Sequence, residues 1–378
     1  MNFTYNLSEE SNPFKKMLFG FILIIASIAL LSYNEHRSIN QTLALEEMQE
    51  KIIHIESTPY AVQNEGKAVH IQGEVIPKKI LEDKEFGIQS HALRLQREVF
   101  MYQWEEEEHT NSSNTNNTVG QKTYSYDLEW SSQAINSSHF EYEEGHENPQ
   151  MPYNEASFST DASLGEYTIQ SSAMYRFPAN DDYNGLDTMP EKVKGFTNHK
   201  TFLYKGENPN SPLLGDLKIV YTEASQAVYT LAGKVDEKNI VSYHTENDIS
   251  LFFVREGLVS AEQIFMEAFN DNKVLTWFLR FAGVFLMFIG FMFILSLLES
   301  LGNFIPFMST ILGGISTMLA FTLTLVLSTV VIAVAWFAVR PVLSLVLIGA
   351  GLGGGFLLRM VNKKSQKEEG EYEKEEDA

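Results

Sequence analysis

His146 stands beside Glu143, Glu144 and Glu147, and imidazole nitrogens with carboxylate oxygens are metal-ligating groups. The spacing fits neither the helical H-E-x-x-H of zinc peptidases nor the EF-hand loop. A solvated acidic loop is the simpler reading. His70 sits on the polar face of an alternating segment, and an exposed histidine is the simpler reading there too. No serine lies in a G-x-S-x-G setting, and no G-x-x-x-x-G-K phosphate cradle is present. Cysteine is absent, which excludes thiolate catalysis, Cys-based zinc sites and disulfides. These residues point to a non-enzymatic protein with no metal and no cofactor.

The apolar segments carry a second set of candidates. Arg280 falls about one turn inside an apolar run that begins near Thr276. A charge within a membrane span is costly and often functional, although an arginine near a span end also snorkels to the interface. Gly349 with Gly353, and Gly351 with Gly355, form G-x-x-x-G pairs that let helices approach closely. They suit packing within the chain's own bundle, pairing with a second copy, or a lipid groove. Ser316, Thr317, Thr322, Thr324, Ser328 and Thr329 give the preceding apolar run a modest polar stripe. That stripe leaves open an alternative function as a channel or transporter subunit, though such side chains also bond their own helix backbone.

These groups are carried by apolar segments at residues 17–33, 276–298, 311–339 and 341–358. Each has at least the roughly 17 residues needed to cross a hydrocarbon core. The first is followed by Asn34, Glu35, His36 and Arg37 rather than a small-x-small cleavage site, so it reads as an uncleaved anchor. The last two meet at Arg340 and Pro341, as in a tight hairpin with Trp336 and Arg340 at the interface; a broken or re-entrant pair is the alternative. Spans in this number put both termini on one side. Lys15 and Lys16 at one end, with Arg359, Lys363, Lys364 and Lys367 at the other, place that side in the cytoplasm. Residues 1–16 and the charged tail 359–378 are then cytoplasmic, and residues 34–275 form an extracytoplasmic or luminal domain. The net charge of −21 argues against nucleic acid as a partner, since binding it requires a basic surface.

Within the outer domain, Leu45, Met48 and Ile52 recur at helical spacing, so residues 38–55 are expected to continue the first span as a stalk. From Lys67 the period falls to two. Leu93, Leu95, Val99 and Met101 face one way, and Arg94, Gln96, Glu98, Phe100, Tyr102 and Trp104 the other. Residues 124–130, ending at Trp130, form an aromatic-rich strand. The polar run between them, residues 105–122, is expected as the mobile tip of a hairpin. Further short strands fit 167–170, 201–204, 217–223, 227–234 and 251–255. They suggest a sandwich or jelly-roll-like domain. Ser260 then caps a helix, with Gln263 as its capping-box partner, that leads into the second span. The fold class is α+β: four transmembrane helices with a β-rich domain between the first and second. Tyr102, Trp104, Trp130 and His146 are its candidate partner contacts. Arg280, Arg340, Gly349, Gly351, Gly353 and Gly355 are the candidate helix-packing or lipid positions.

Several of these runs together resemble one family. YNEHR from Tyr33, NEGKAVHIQGEV from Asn64, FGI, LRLQREVFMYQWEE from Leu93, YSYDLEW from Tyr124, INS at Ile135–Ser137, GHENP, GDL, TWFLRFAG and the RP at Arg340 are similar to the transmembrane protein 43 (LUMA) family. The similarity is collinear from Tyr33 to Pro341, and Leu93–Glu106 is its most specific part. It marks Asn34, Glu35, Arg37, Glu65, Gly66, His70, Tyr102, Trp104, Trp130, Gly145, His146, Pro149, Arg280, Arg340 and Pro341 as motif positions without giving them chemical roles. The resemblance implies a multi-pass protein with a large luminal domain that organises membrane protein complexes. It implies membrane and lamina-associated partners for a eukaryotic member; the expected partners of this chain are membrane lipid, other membrane proteins and, through the β domain or the G-x-x-x-G pairs, a second copy of itself. It implies residence in the endoplasmic reticulum and inner nuclear membrane for a eukaryotic member, and in the cell membrane for a bacterial one. The Asn/Ser-rich insert and the acidic tail depart from the family pattern. That tail and the missing cysteines favour a bacterial member.

Overall fold

The computed structural model describes residues 13–111, 121–302 and 308–337, and its elements are a mixture of helix and strand. Residues 46–265 form one compact unit, excluding 112–120, and residues 13–45 gather with 266–302 and 308–337 into another.

The second unit is helical. It contains most of α1 (Pro13–Lys51) and α2 (Ala261–Gly302), and all of α3 (Met308–Phe337). Stretches of the three, Phe14–Lys51, Ala261–Ser296 and Ser316–Ala335, are long and apolar enough to cross a membrane. The expected span at 341–358, with Arg340 and the glycines at 349, 351, 353 and 355, lies outside the described residues. Phe21, Ile22 and Ile25 on α1, and Phe278, Phe281 and Phe285 on α2, are exposed. An apolar surface of this kind suits contact with lipid rather than water.

Helices α1 and α2 pack closely. A Cβ added to Gly20 would lie 2.6 Å from the Gly290 carbonyl oxygen, and Gly283 makes room for Leu31. Phe19 meets Phe293 with ring centroids 5.7 Å apart. These pairings run in opposite directions along the two helices, so α1 and α2 are antiparallel. Small residues bring the backbones together where burial of apolar surface supplies no drive between helices in lipid.

The first unit is built on two sheets. One has seven strands, in the spatial order Ile53–Ile55, Ala68–Pro77, Ala162–Leu164, Tyr167–Ile169, Asn239–Val241, Ala227–Asp236 and Phe253–Glu256. Ala68–Pro77 also pairs directly with Ala227–Asp236, Ala68 opposite Lys234 and Val75 opposite Ala227. That extra pairing closes part of the sheet into a ring, which the sandwich or jelly-roll expectation did not include. Gly233 suits the close approach of Asn239–Val241 to Ala227–Asp236, because a Cβ there would lie 2.5 Å from the Val241 carbonyl oxygen. Val69, Ile71, Val75, Leu164, Tyr167 and Leu231 are among the residues of its core.

The other sheet orders Lys192–Val193, Phe196–Asn198, Leu203–Lys205, Leu217–Ala224, Arg94–Asn111 and Gln121–Ser131, with two short strands beside this path. Leu95, Val99 and Met101 are buried in its core, with the period of two read from the sequence. Arg97 shares that face and is 5% exposed. Asp83 and Glu85 each lie 2.7 Å from its guanidinium, and the Tyr221 hydroxyl donates to Asp83 at 2.7 Å. A buried guanidinium stripped of these carboxylates would be strongly destabilising.

Two boundaries differ from expectation. The first helix stops at Lys51, and Ile53–Ile55 pairs in parallel with Val69–Ile71. Two β-branched isoleucines flanking His54 favour a strand there. The polar run also keeps strand structure from Glu105 to Asn111, because its partner Gln121–Ser131 supplies cross-strand bonds. Residues 112–120, the centre of the expected mobile tip, lie outside the described residues.

The parallel pairing sets His54 opposite His70. Nε2 of His70 donates to the Val259 carbonyl at 2.8 Å, which leaves its Nδ1 to accept from His54 Nδ1 at 2.9 Å. Burial lowers the pKa of His70 from its ordinary value of 6.5. Below about pH 6.5 the unfolded chain therefore binds more protons than the folded one, and stability falls as pH drops toward the lowered folded value. Melting followed by circular dichroism in detergent should show a lower midpoint at about pH 5.5 than at about pH 7, with a shallower dependence in His70→Gln. An equally steep dependence in His70→Gln would contradict the assignment.

Candidate functional site

Leu217–Ala224 pairs with the long strand only from Arg94 to Met101, whereas Gln121–Ser131 pairs with it from Met101 to Asn111. Beyond Met101 the two strands therefore continue as a ribbon past the end of the third. Register places Tyr102 opposite Trp130, Trp104 opposite Leu128, and Glu106 opposite Tyr126 on one face. Tyr102 and Trp130 have ring centroids 5.3 Å apart.

Segment 135–148 folds over this face. His146 stacks on Tyr126 at 3.9 Å, with the planes 18° apart, and meets Trp104 edge-on at 4.9 Å. Phe140 packs against Tyr126 at 5.8 Å. Asn148 takes the place of a strand partner: its Oδ1 accepts from the Trp104 amide at 2.6 Å, and its Nδ2 donates to the Trp104 carbonyl at 2.8 Å. Tyr126 donates to Glu106 at 2.5 Å and accepts from the Tyr142 amide at 3.0 Å. Burial first, and then the Glu106 carboxylate, push the Tyr126 phenol up to about 12.

The four sequence candidates Tyr102, Trp104, Trp130 and His146 are thus brought together, each half-buried. Trp104 and His146 seat the loop on the ribbon. Among the described residues no group of three or more His, Asp or Glu is placed to hold a metal. Sequence reading assigned no role to Asn148, Glu106 or Tyr126. Their signal was the GHENP run and the tyrosines of YSYDLEW. The ribbon's other face carries Glu105, Glu107, Asp127 and Glu129, all exposed, with Glu105 directly opposite Asp127. Like charges in that register are mutually destabilising and depend on solvent.

The helical unit holds a second polar cluster, between α1 and α2. Arg280 donates from Nε and Nη2 to the two oxygens of Glu35, each at 2.6 Å. The Glu35 side chain is 0% exposed and that of Arg280 17%. The guanidinium also lies 5.0 Å from the centre of the exposed Trp277 ring. Asn34 donates to the Thr276 carbonyl at 3.0 Å. Arg37 donates to Asn272 Oδ1 and Thr276 Oγ1, both at 3.0 Å, and Asn272 donates to the Ser38 carbonyl at 2.9 Å. Arg280 is therefore part of an interhelical clasp, not only a snorkelling side chain. The reason is the buried carboxylate one helix away, which sequence spacing of 245 residues conceals.

The family model described as transmembrane protein 43 matches residues 101–341. Transmembrane protein 43 of Homo sapiens is 28% identical over 364 residues, covering 93% of this chain and 90% of the relative. The Mus musculus protein is 28% identical over 356 residues, covering 90% and 87% respectively. The Drosophila melanogaster homolog is 29% identical over 353 residues, covering 88% and 91%.

The clasp has a measurable signature. Glu35→Leu or Arg280→Leu alone strands the other charge in an apolar setting and should cost about 3–5 kcal/mol of stability, while the double variant should recover most of that loss. Thermal melts of detergent-solubilised protein check this. Additive losses in the double variant would show that the two charges do not depend on each other.

Proposed function

This chain belongs to the transmembrane protein 43 family and is a membrane protein, and from that premise we propose that it is a non-enzymatic scaffold that organises membrane protein complexes. The apolar helices anchor it and pack against lipid. The β-rich unit lies on the extracytoplasmic or luminal side and takes hold of protein partners. The observation that supports this reading is the ribbon, which outruns the strand that covers its base. It is stiffened by stacked aromatics on one face and exposes carboxylates on the other. Among its described residues such an arm aims no acid–base pair at a shared pocket, which suits recognition better than turnover.

Trp104 and His146 hold the loop down, so they act by shaping the arm. Glu105, Glu107, Asp127 and Glu129 would meet a partner directly, with the steering and salt dependence that charges bring. Crosslinking in native membranes followed by pull-down tests the reading. Replacing residues 106–126 with an Asn-Gly turn should leave the near-UV circular dichroism of the remaining domain largely intact and remove most crosslinked partners. Reversing Glu105 and Asp127 to Lys should weaken capture more at low salt than at high salt. Full retention of partners by the shortened arm would overturn the proposal.

A further inference from the structure

A second feature of the β-rich unit is independent of the ribbon and of the scaffold reading. A cavity of about 260 Å³ opens between residues 170–176, residues 240–244 and Phe252. None of its lining residues is Asp or Glu, although the chain holds 49 acidic residues against 28 basic ones. Arg176 provides the permanent positive charge of the lining. Its Nη1 donates to the Phe252 carbonyl at 3.1 Å, and the guanidinium lies 5.1 Å from the Tyr175 ring centre and 5.5 Å from that of Phe252.

No carboxylate of the described residues forms an ion pair with Arg176. Its other donors have no hydrogen-bond acceptor among the described residues. Gln170, Ser172 and Ser242 line the same cavity, and their side chains likewise have no hydrogen-bond partner among the described residues. His244 on the lining is already engaged through Nδ1 with Ser250 Oγ at 2.8 Å. A guanidinium, two hydroxyls and an amide thus line one small, solvent-open cavity, with Gln170 and Ser172 exposed and Arg176 and Ser242 half-buried. A guanidinium fork matches the two oxygens of a carboxylate. One positive charge balances one negative charge, and the Tyr175 and Phe252 rings supply apolar walls. The volume is at or below the range of about 300–1,000 Å³ that holds drug-sized ligands, so the occupant must be small.

We propose that this cavity binds a small organic monocarboxylate, with Arg176 gripping the carboxylate and the hydroxyls of Ser172 and Ser242 completing its bonds. The test uses the full chain in detergent, with benzoate, acetate and inorganic phosphate as separate probes in saturation-transfer NMR and calorimetric titration. Benzoate is expected to bind saturably and more tightly than acetate or phosphate. Arg176→Gln should weaken benzoate roughly tenfold or more, Arg176→Lys should restore part of the loss, and the paired Ser172→Ala and Ser242→Ala change should weaken it several-fold. Near-UV circular dichroism shows whether each variant is folded. If Arg176→Gln is not folded, the serine pair carries the test. Absence of saturable benzoate binding to the unmodified protein, or equal binding by the folded variants, would overturn the proposal. A preference for phosphate over benzoate would overturn the carboxylate assignment.

Discussion

A carboxylate and a guanidinium held between apolar helices are stable only as a pair, and that constraint fixes how α1 meets α2. Glu35 is fully buried and bonded through both oxygens to Arg280. Neither charge tolerates loss of the other in a low-dielectric setting. The bidentate fork also fixes geometry, since sliding one helix by a turn along the other would separate the groups by about 5.4 Å. Asn34, Arg37, Asn272 and Thr276 extend the clasp along the same seam. Farther along, Gly20 and Gly290 let the backbones touch. Polar pairing thus sets the register, and small residues permit the contact that follows from it. Leucine-rich helices in lipid have little else to choose one register over another.

The same logic governs the β-rich unit. Arg97 points into a sheet core and is tolerated because Asp83 and Glu85 neutralise it. Asn148 satisfies both backbone groups of Trp104 where the ribbon has outrun its neighbouring strand. An unpaired strand edge invites unwanted pairing, and a side-chain amide at the edge occupies one residue of it. Arg97 and Trp104 are thus each matched by a side chain brought from elsewhere in the sequence.

Much of the secondary structure was legible in the sequence because its signals are periodic. The alternation from Leu93 to Trp104 marked both the strand and its buried face, and long apolar runs marked the three described membrane helices. Local chemistry failed where a partner distant in sequence decided the outcome. Residues 105–111 look too polar for a strand until Gln121–Ser131 pairs with them. Arg280 looks like an interfacial arginine until Glu35 is beside it. Glycine spacing drew attention to residues 349–355, whereas the close contact in the described helices uses Gly20, Gly283 and Gly290, which share no motif. Tyr102, Trp104, Trp130 and His146 stand out in the sequence as candidate contacts, but the pairing of Tyr102 with Trp130 and the seating of His146 on Trp104 and Tyr126 follow from register and could not be read from composition.

The chain contains no cysteine, so introduced thiols report contacts without background. Ser27 and Met287 are both 0% exposed, and they lie between the Gly20–Gly290 and Leu31–Gly283 contacts of the same seam. Oxidative crosslinking of the Ser27→Cys, Met287→Cys protein in native membranes is the most direct test that the Glu35–Arg280 pair sets the register of α1 on α2. Efficient disulfide formation that falls when Glu35→Leu is added, and stays low when Arg280→Leu is added as well, is the expected result. A crosslink that forms equally well with Glu35→Leu alone would contradict it.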